Sequence, residues 1–89
     1  MIVRFDHSFD KSLDKIDDKL IKEKIKVLIF RLEVAKSISN LSAIKPMKGH
    51  PGFYRIRIGD YRVGFELTSN NEILLILASH RKDIYKRFP

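Results

Sequence analysis

Three arginines, Arg55, Arg57 and Arg62, fall within eight positions in the stretch FYRIRIGDYRVGF, residues 53–65. A guanidinium stays charged when partly desolvated, and its planar fork donates paired hydrogen bonds that match a phosphate. A second group follows in SHRKDIY, residues 79–85, where His80, Arg81 and Tyr85 stand close together. Cations for a phosphate and an aromatic ring to stack on or orient a base make a set that resembles a site for phosphoryl chemistry on RNA. Lys45 and Lys48 precede the first segment, Lys82 lies within the second and Lys86 just follows it, and all four are candidates for contacts to an RNA backbone.

The elements that must hold these side chains are legible nearby. Tyr54, Ile56 and Ile58 alternate with Arg55 and Arg57, and Tyr61, Val63 and Phe65 alternate with Arg62, Gly64 and Glu66. Gly59-Asp60 suits a two-residue turn of type II′, which takes glycine first. That register sets Ile58 against Tyr61, Arg57 against Arg62 and Arg55 against Gly64. The apolar residues then share one face and the arginines the other. Like charges directly opposite each other cost a few tenths to about 1 kcal/mol. Glu66 is the one acid on that face to offset them, and Gly64 leaves space above the sheet. A solvated sheet face would also accept these arginines. The second group weighs against so bland a role, because a last strand paired beside the hairpin would bring Arg81 to the same rim, and Tyr85 could fold over it.

The rest of the chain reads as scaffold. Met1–Phe5 is short and apolar, as a strand is. Phe9, Leu13 and Ile16 make the stripe of a helix of about three turns, with Asp6 or Ser8 as its N-cap. Asp17-Asp18 can cap a second helix, whose stripe is Leu20, Ile21, Ile25, Leu28, Ile29 and Leu32. Ala43–Met47 reads as a short strand, and Pro46 suits an edge. Ile73–Ala78 is an apolar run, as expected of a strand covered on both faces. The expected architecture is α+β: an N-terminal strand, then an antiparallel helical hairpin on one face of a mostly antiparallel sheet of four or five strands, then a short C-terminal helical segment. The opposite face is expected to be open. Residues 1–89 are read as a single domain.

Composition narrows the function. The 89 residues carry 18 Lys and Arg against 11 Asp and Glu, a net charge of +7. Residues 42–89 hold +5 of it, so the positive field belongs to the half with the hairpin. Such a field attracts polyanions or acidic proteins. With no cysteine, disulfides, thiolate metal sites and a cysteine nucleophile are excluded. No apolar segment is long enough to span a bilayer, and MIVRFDHSF lacks the apolar region of a signal peptide. A cytoplasmic protein is expected.

The string YRIRIGDYRVGFEL, followed by an apolar strand and then HRKDIY, resembles the RelE/ParE superfamily of toxins from toxin–antitoxin modules. The likeness covers nearly the whole chain, including the start at Phe9. It implies a RelE-like fold and, for RelE-type members, a ribosome-dependent mRNA endonuclease acting in the A site. There the ribose 2′-hydroxyl attacks the adjacent phosphodiester, without a metal or cofactor. It also implies a cognate antitoxin as partner, besides ribosome and mRNA. The family's basic positions fall on Arg55, Arg57, Arg62 and Arg81, and its late tyrosine falls on Tyr85. On this reading Arg62 clamps the phosphate, Arg81 serves the leaving oxygen and Tyr85 orients the nucleotide.

The family pattern has lysines on the first hairpin strand, one of them proposed as general base. Both are arginines here. Arginine does not surrender its proton, so Arg57 is unsuited to that task. His80, Lys48 and His50 are titratable candidates, and a mechanism without a base is the remaining option. The alternatives to an mRNA nuclease are a ParE-type inhibitor of DNA gyrase and an inactive relative that only binds an antitoxin or represses.

Overall fold

The structure is a computed structural model that describes residues 1–89. Strand β1 (Val3–Phe5) is followed by helices α1 (His7–Asp14) and α2 (Lys19–Val34). A 3₁₀ turn at Ile38–Asn40 leads to β2 (Ile44–Pro46), β3 (Phe53–Ile58), β4 (Tyr61–Leu67), β5 (Ile73–His80) and the short helix α3 (Ile84–Arg87). The five strands form one sheet in the order β1-β5-β4-β3-β2. Only β1 runs parallel to its neighbour, β5. Pro46 lies on the edge strand β2, where its missing N–H disrupts no ladder.

Capping residues set the helix starts. Asp6 is the N-cap of α1, and its side chain accepts from the backbone N–H of Ser8. Asp18 does the same for α2, accepting from Leu20 and Ile21. Helix α1 ends at Asp14, about a turn earlier than its apolar spacing suggests, yet Ile16 remains buried in the connection. Phe9, Ile21, Ile25 and Leu32 from the helical half meet Ile56, Ile58, Val63, Phe65, Ile73 and Leu75 in the main core. Leu20, expected in that core, is 64% exposed. It lies instead with Val27, Phe30 and Val34 among the exposed apolar residues of α2.

The hairpin has the expected register: Ile58 pairs with Tyr61, Arg57 with Arg62 and Arg55 with Gly64. Gly59 has φ +56°, the positive angle that a glycine-first turn requires. Strand β5 runs two residues past the apolar run, to His80. An irregularity in the β4–β5 ladder pairs Gly64 with Leu77 but Phe65 with Leu75, so Ile76 is the extra residue of a bulge. The bulge changes which way the strand faces. Ile73, Leu75 and Ala78 join the main core, while Leu77 turns to the other side of the sheet.

That other side is not open throughout, contrary to expectation. Met47, Leu77, Ile84 and Phe88 form a second small core there, with Phe53 and Ile76 packed against it. The short C-terminal helical segment is therefore docked on the sheet by Ile84 and Phe88, spaced i and i+4.

Candidate active site

The second core leaves part of the arginine-bearing face uncovered. A hollow of about 240 Å³ lies there, lined by Ala43, Lys45, Arg55, Arg57, Arg62 and Tyr85. Four elements contribute to it. Lys45 comes from β2, Arg55 and Arg57 from β3, Arg62 from β4 and Tyr85 from α3. Lys45 is the direct cross-strand partner of Arg55, as Arg62 is of Arg57. The alternation of β3 sends Ile56 and Ile58 into the main core, which leaves its two arginines facing the other way.

Two of the three guanidiniums are braced by backbone. Arg62 Nη1 donates to the carbonyls of Gly59 and Tyr61, both at 2.9 Å. Arg55 Nη1 donates to the Pro46 carbonyl at 3.1 Å, and its guanidinium carbon lies 5.4 Å from the centre of the Tyr85 ring. These contacts fix positions without neutralising charge. The salt bridges of the molecule are Arg4–Glu72, Lys26–Glu23 and Arg81–Asp60, and none involves a cation lining the hollow. Glu66, the expected offset, pairs across the strands with Phe53 and Leu74 and makes no salt bridge to the arginines. The hollow thus concentrates unpaired positive charge, which suits an external anion.

The space expected above Gly64 does not belong to the hollow. A Cβ built at Gly64 would lie 2.7 Å from Phe88 ring atoms, so the ring occupies that space. Phe88 in turn contacts Phe53 edge-on, with ring centroids 5.8 Å apart. Gly64 is needed for tail docking, and the docked tail carries Tyr85.

The other candidates stand apart from this lining. Arg81 is held at the Gly59-Asp60 turn, where its N–H donates to the Asp60 carbonyl at 2.8 Å and its Nε lies 3.9 Å from Asp60 Oδ1. His80 sits edge-on to Tyr61, and its Nδ1 accepts from the Lys82 N–H at 3.2 Å. Lys48 and His50 are exposed in the turn between β2 and β3, Lys82 is exposed just before α3, and Lys86 is exposed on α3. The structure therefore brings together Lys45, Arg55, Arg57, Arg62 and Tyr85. It leaves Arg81, His80, Lys48, Lys82 and Lys86 outside the lining. The residues that sequence reasoning missed are supporting ones, Phe88 and Ile84. Their signal was two apolar side chains one helical turn apart in an otherwise charged tail.

A larger groove of about 700 Å³ runs between α2 and β3. Val27, Leu28, Leu41, Ile56 and Ile58 supply its apolar lining, and Lys24 and Arg31 stand among its charged residues. Arg57 and Ala43 line both the groove and the hollow, so the two adjoin.

Comparison with known proteins bears on the family and the fold. The sequence profile of the family described as "ParE toxin of type II toxin-antitoxin system, parDE" matches residues 3–85. Toxin RelE3 of Methanocaldococcus jannaschii is 39% identical over 70 residues, 78% of each chain. The crystal structure of the RelB-RelE antitoxin-toxin complex from Methanococcus jannaschii superposes with a TM-score of 0.82 at 36% identity, covering 97% of this chain and 99% of that one. The intact E. coli RelBE toxin-antitoxin complex shares the fold, with a TM-score of 0.61 at 20% identity over 89% of this chain and 94% of that one. A family model that spans residues 3–85, a relative 39% identical over most of both chains and a shared fold lead to one conclusion: the chain belongs to the RelE/ParE superfamily of toxins from type II toxin–antitoxin systems.

Proposed function

We propose that the protein is a ribosome-dependent mRNA endonuclease. The observation that carries this reading is the convergence of Lys45, Arg55, Arg57, Arg62 and Tyr85 on one hollow, with no carboxylate paired to any of the cations. A scissile phosphodiester enters the hollow, and the three guanidiniums receive its nonbridging oxygens. The ribose 2′-oxygen attacks phosphorus, the bond to the 5′-oxygen breaks, and a cyclic phosphate and a free 5′-hydroxyl result. Charge on the phosphoryl oxygens grows in the transition state. Each preorganised donor there is worth about 10²–10³ in rate. Arg62, braced by two carbonyls, is the clamp. Tyr85, 61% exposed, offers a ring for a base to stack on. Arg81 reaches the leaving oxygen by giving up its exposed contact with Asp60, a pair of the kind worth less than about 1 kcal/mol. The ribosome supplies in-line geometry, which is a large part of the barrier for a flexible RNA. The site of action is then cytoplasmic.

A cognate antitoxin belongs to the same reading. The solved relatives include toxin–antitoxin complexes. The groove beside α2, the exposed Val27 and the rim cations Lys24 and Arg31 suit an amphipathic helix with acidic flanks. Because Arg57 borders both groove and hollow, an occupant of the groove would also restrict the site.

The test is primer extension on mRNA incubated with purified ribosomes and the protein. Cuts inside ribosome-covered codons, lost in Arg62→Ala, support the reading. Intact mRNA together with inhibited DNA supercoiling by gyrase supports the activity that the ParE name suggests instead. Intact mRNA and unaffected gyrase leave an antitoxin-binding or repressor module.

A further inference from the structure

The nuclease reading leaves the proton of the attacking 2′-hydroxyl without a destination. Three of the five functional side chains lining the hollow are guanidiniums, which do not exchange a proton in proteins. The two that can are the Lys45 amine and the Tyr85 phenol. The face of the Tyr85 ring is engaged by the Arg55 guanidinium at 5.4 Å. Lys45 is exposed, makes no salt bridge and no side-chain hydrogen bond, and faces Arg55 directly across the β2–β3 ladder. His80, which precedes Arg81, lies outside the lining, and its Nδ1 accepts from the Lys82 N–H.

We propose that Lys45 is the general base of this site: its amine takes the 2′-hydroxyl proton as the O2′–P bond forms. This rests on the nuclease reading above. The amine ends as an ammonium, the P–O5′ bond breaks with its electron pair on O5′, and that oxygen takes a proton from water. The position is suitable on physical grounds. An ammonium left in place after transfer stands beside the phosphoryl charge that has just developed, so the same side chain serves before and after the proton moves. Strand β2 is held at an edge of the sheet by its pairing to β3, which fixes the amine's origin relative to Arg55.

The test separates charge from proton transfer. Lys45→Arg keeps the charge and cannot accept a proton. The double variant Lys45→Arg with Arg55→Lys exchanges amine and guanidinium across one ladder pair. Single-turnover cleavage of mRNA on programmed ribosomes is measured, with ribosome co-sedimentation and thermal melting as controls. Lys45→Arg should cleave about 10²–10⁴-fold more slowly, the usual share of general acid–base catalysis, with binding and melting unchanged. The double variant should regain at least about tenfold of that loss. A Lys45→Arg protein within about threefold of the unaltered rate overturns the assignment. So does an exchange variant that regains nothing, because the loss would then reflect Lys45's own contacts. Unaltered protein that leaves ribosome-bound mRNA intact sinks the nuclease reading itself, a result distinct from either.

Discussion

The Phe88 ring lies where a side chain on Gly64 would be, with ring atoms 2.7 Å from the position a Cβ would take. This contact links the middle of the central hairpin to α3, and α3 carries Tyr85 to the hollow. Gly64→Ala should therefore unseat the tail while leaving the main core intact. Hydrogen exchange reads the outcome: the Phe88 amide, bonded to the Ile84 carbonyl at 2.8 Å, should exchange faster than in the unaltered protein, and amides of β4 and β5 should not. Phe88→Ala, which empties a site 2% exposed, should cost about 3 kcal/mol or more in chemical denaturation.

Arg57 stands directly opposite Arg62, a pairing that on the nuclease reading sets stability against activity. Replacing Arg57 by Thr removes a like-charge pair and adds a β-branched residue to a strand. The variant should be more stable by a few tenths to about 1 kcal/mol in urea denaturation. Its cleavage on ribosomes should fall about 10²–10³-fold. A loss in both measurements would mean that Arg57 supports the fold and not the phosphate.

Tyr85 should show the opposite separation from Phe88, although both belong to one segment. Its ring is mostly exposed, and an exposed cation–π contact contributes about 0.5–1 kcal/mol. Tyr85→Ala should leave the melting temperature nearly unchanged while reducing cleavage. Substantial unfolding of this variant would show that the ring is structural.

Salt should discriminate between phosphate contacts and mere proximity. Binding to ribosome-held RNA should weaken steeply as salt rises. Each of Arg55→Ala and Arg57→Ala should lower the log–log slope by about one, if each neutralises one phosphate. An unchanged slope for either variant would remove that residue from the RNA contact.

Acid stability has a local source at the start of α1. The Ser8 hydroxyl and then the Ser8 backbone N–H hold the Asp6 carboxyl below its ordinary value of 3.8. The folded value is depressed, so this stabilisation is complete above 3.8 and is lost as pH falls through the lower folded value. Asp6→Asn should be less stable than the unaltered protein at pH ~7, and the gap should narrow as pH falls below 3.8. A gap that stays constant in urea denaturation across that range would assign the effect to something other than the carboxylate.

Local patterns in the chain specify much of this molecule. Alternation in residues 54–65 places the arginines of β3 and β4 on one face, and Gly59-Asp60 sets their register, because strand period and turn geometry are short-range properties. The caps Asp6 and Asp18 are equally local. Leu20 shows the limit of such patterns. An apolar side chain at helical spacing can lie on either side of a wide stripe, and only the position of the sheet beneath α2 left it in solvent. Arg81 shows a second limit, since adjacency in sequence to the end of β5 does not determine whether its guanidinium meets the arginine-lined hollow or the Asp60 turn. The second core depends on contacts between residues far apart in the chain. Leu77 reaches it through a bulge that neither strand announces, and Phe88 fills the space at Gly64 only once the tail has folded back. Packing of that kind depends on volumes brought together by the whole chain, which is why Lys45 and Tyr85 share one hollow although forty residues separate them.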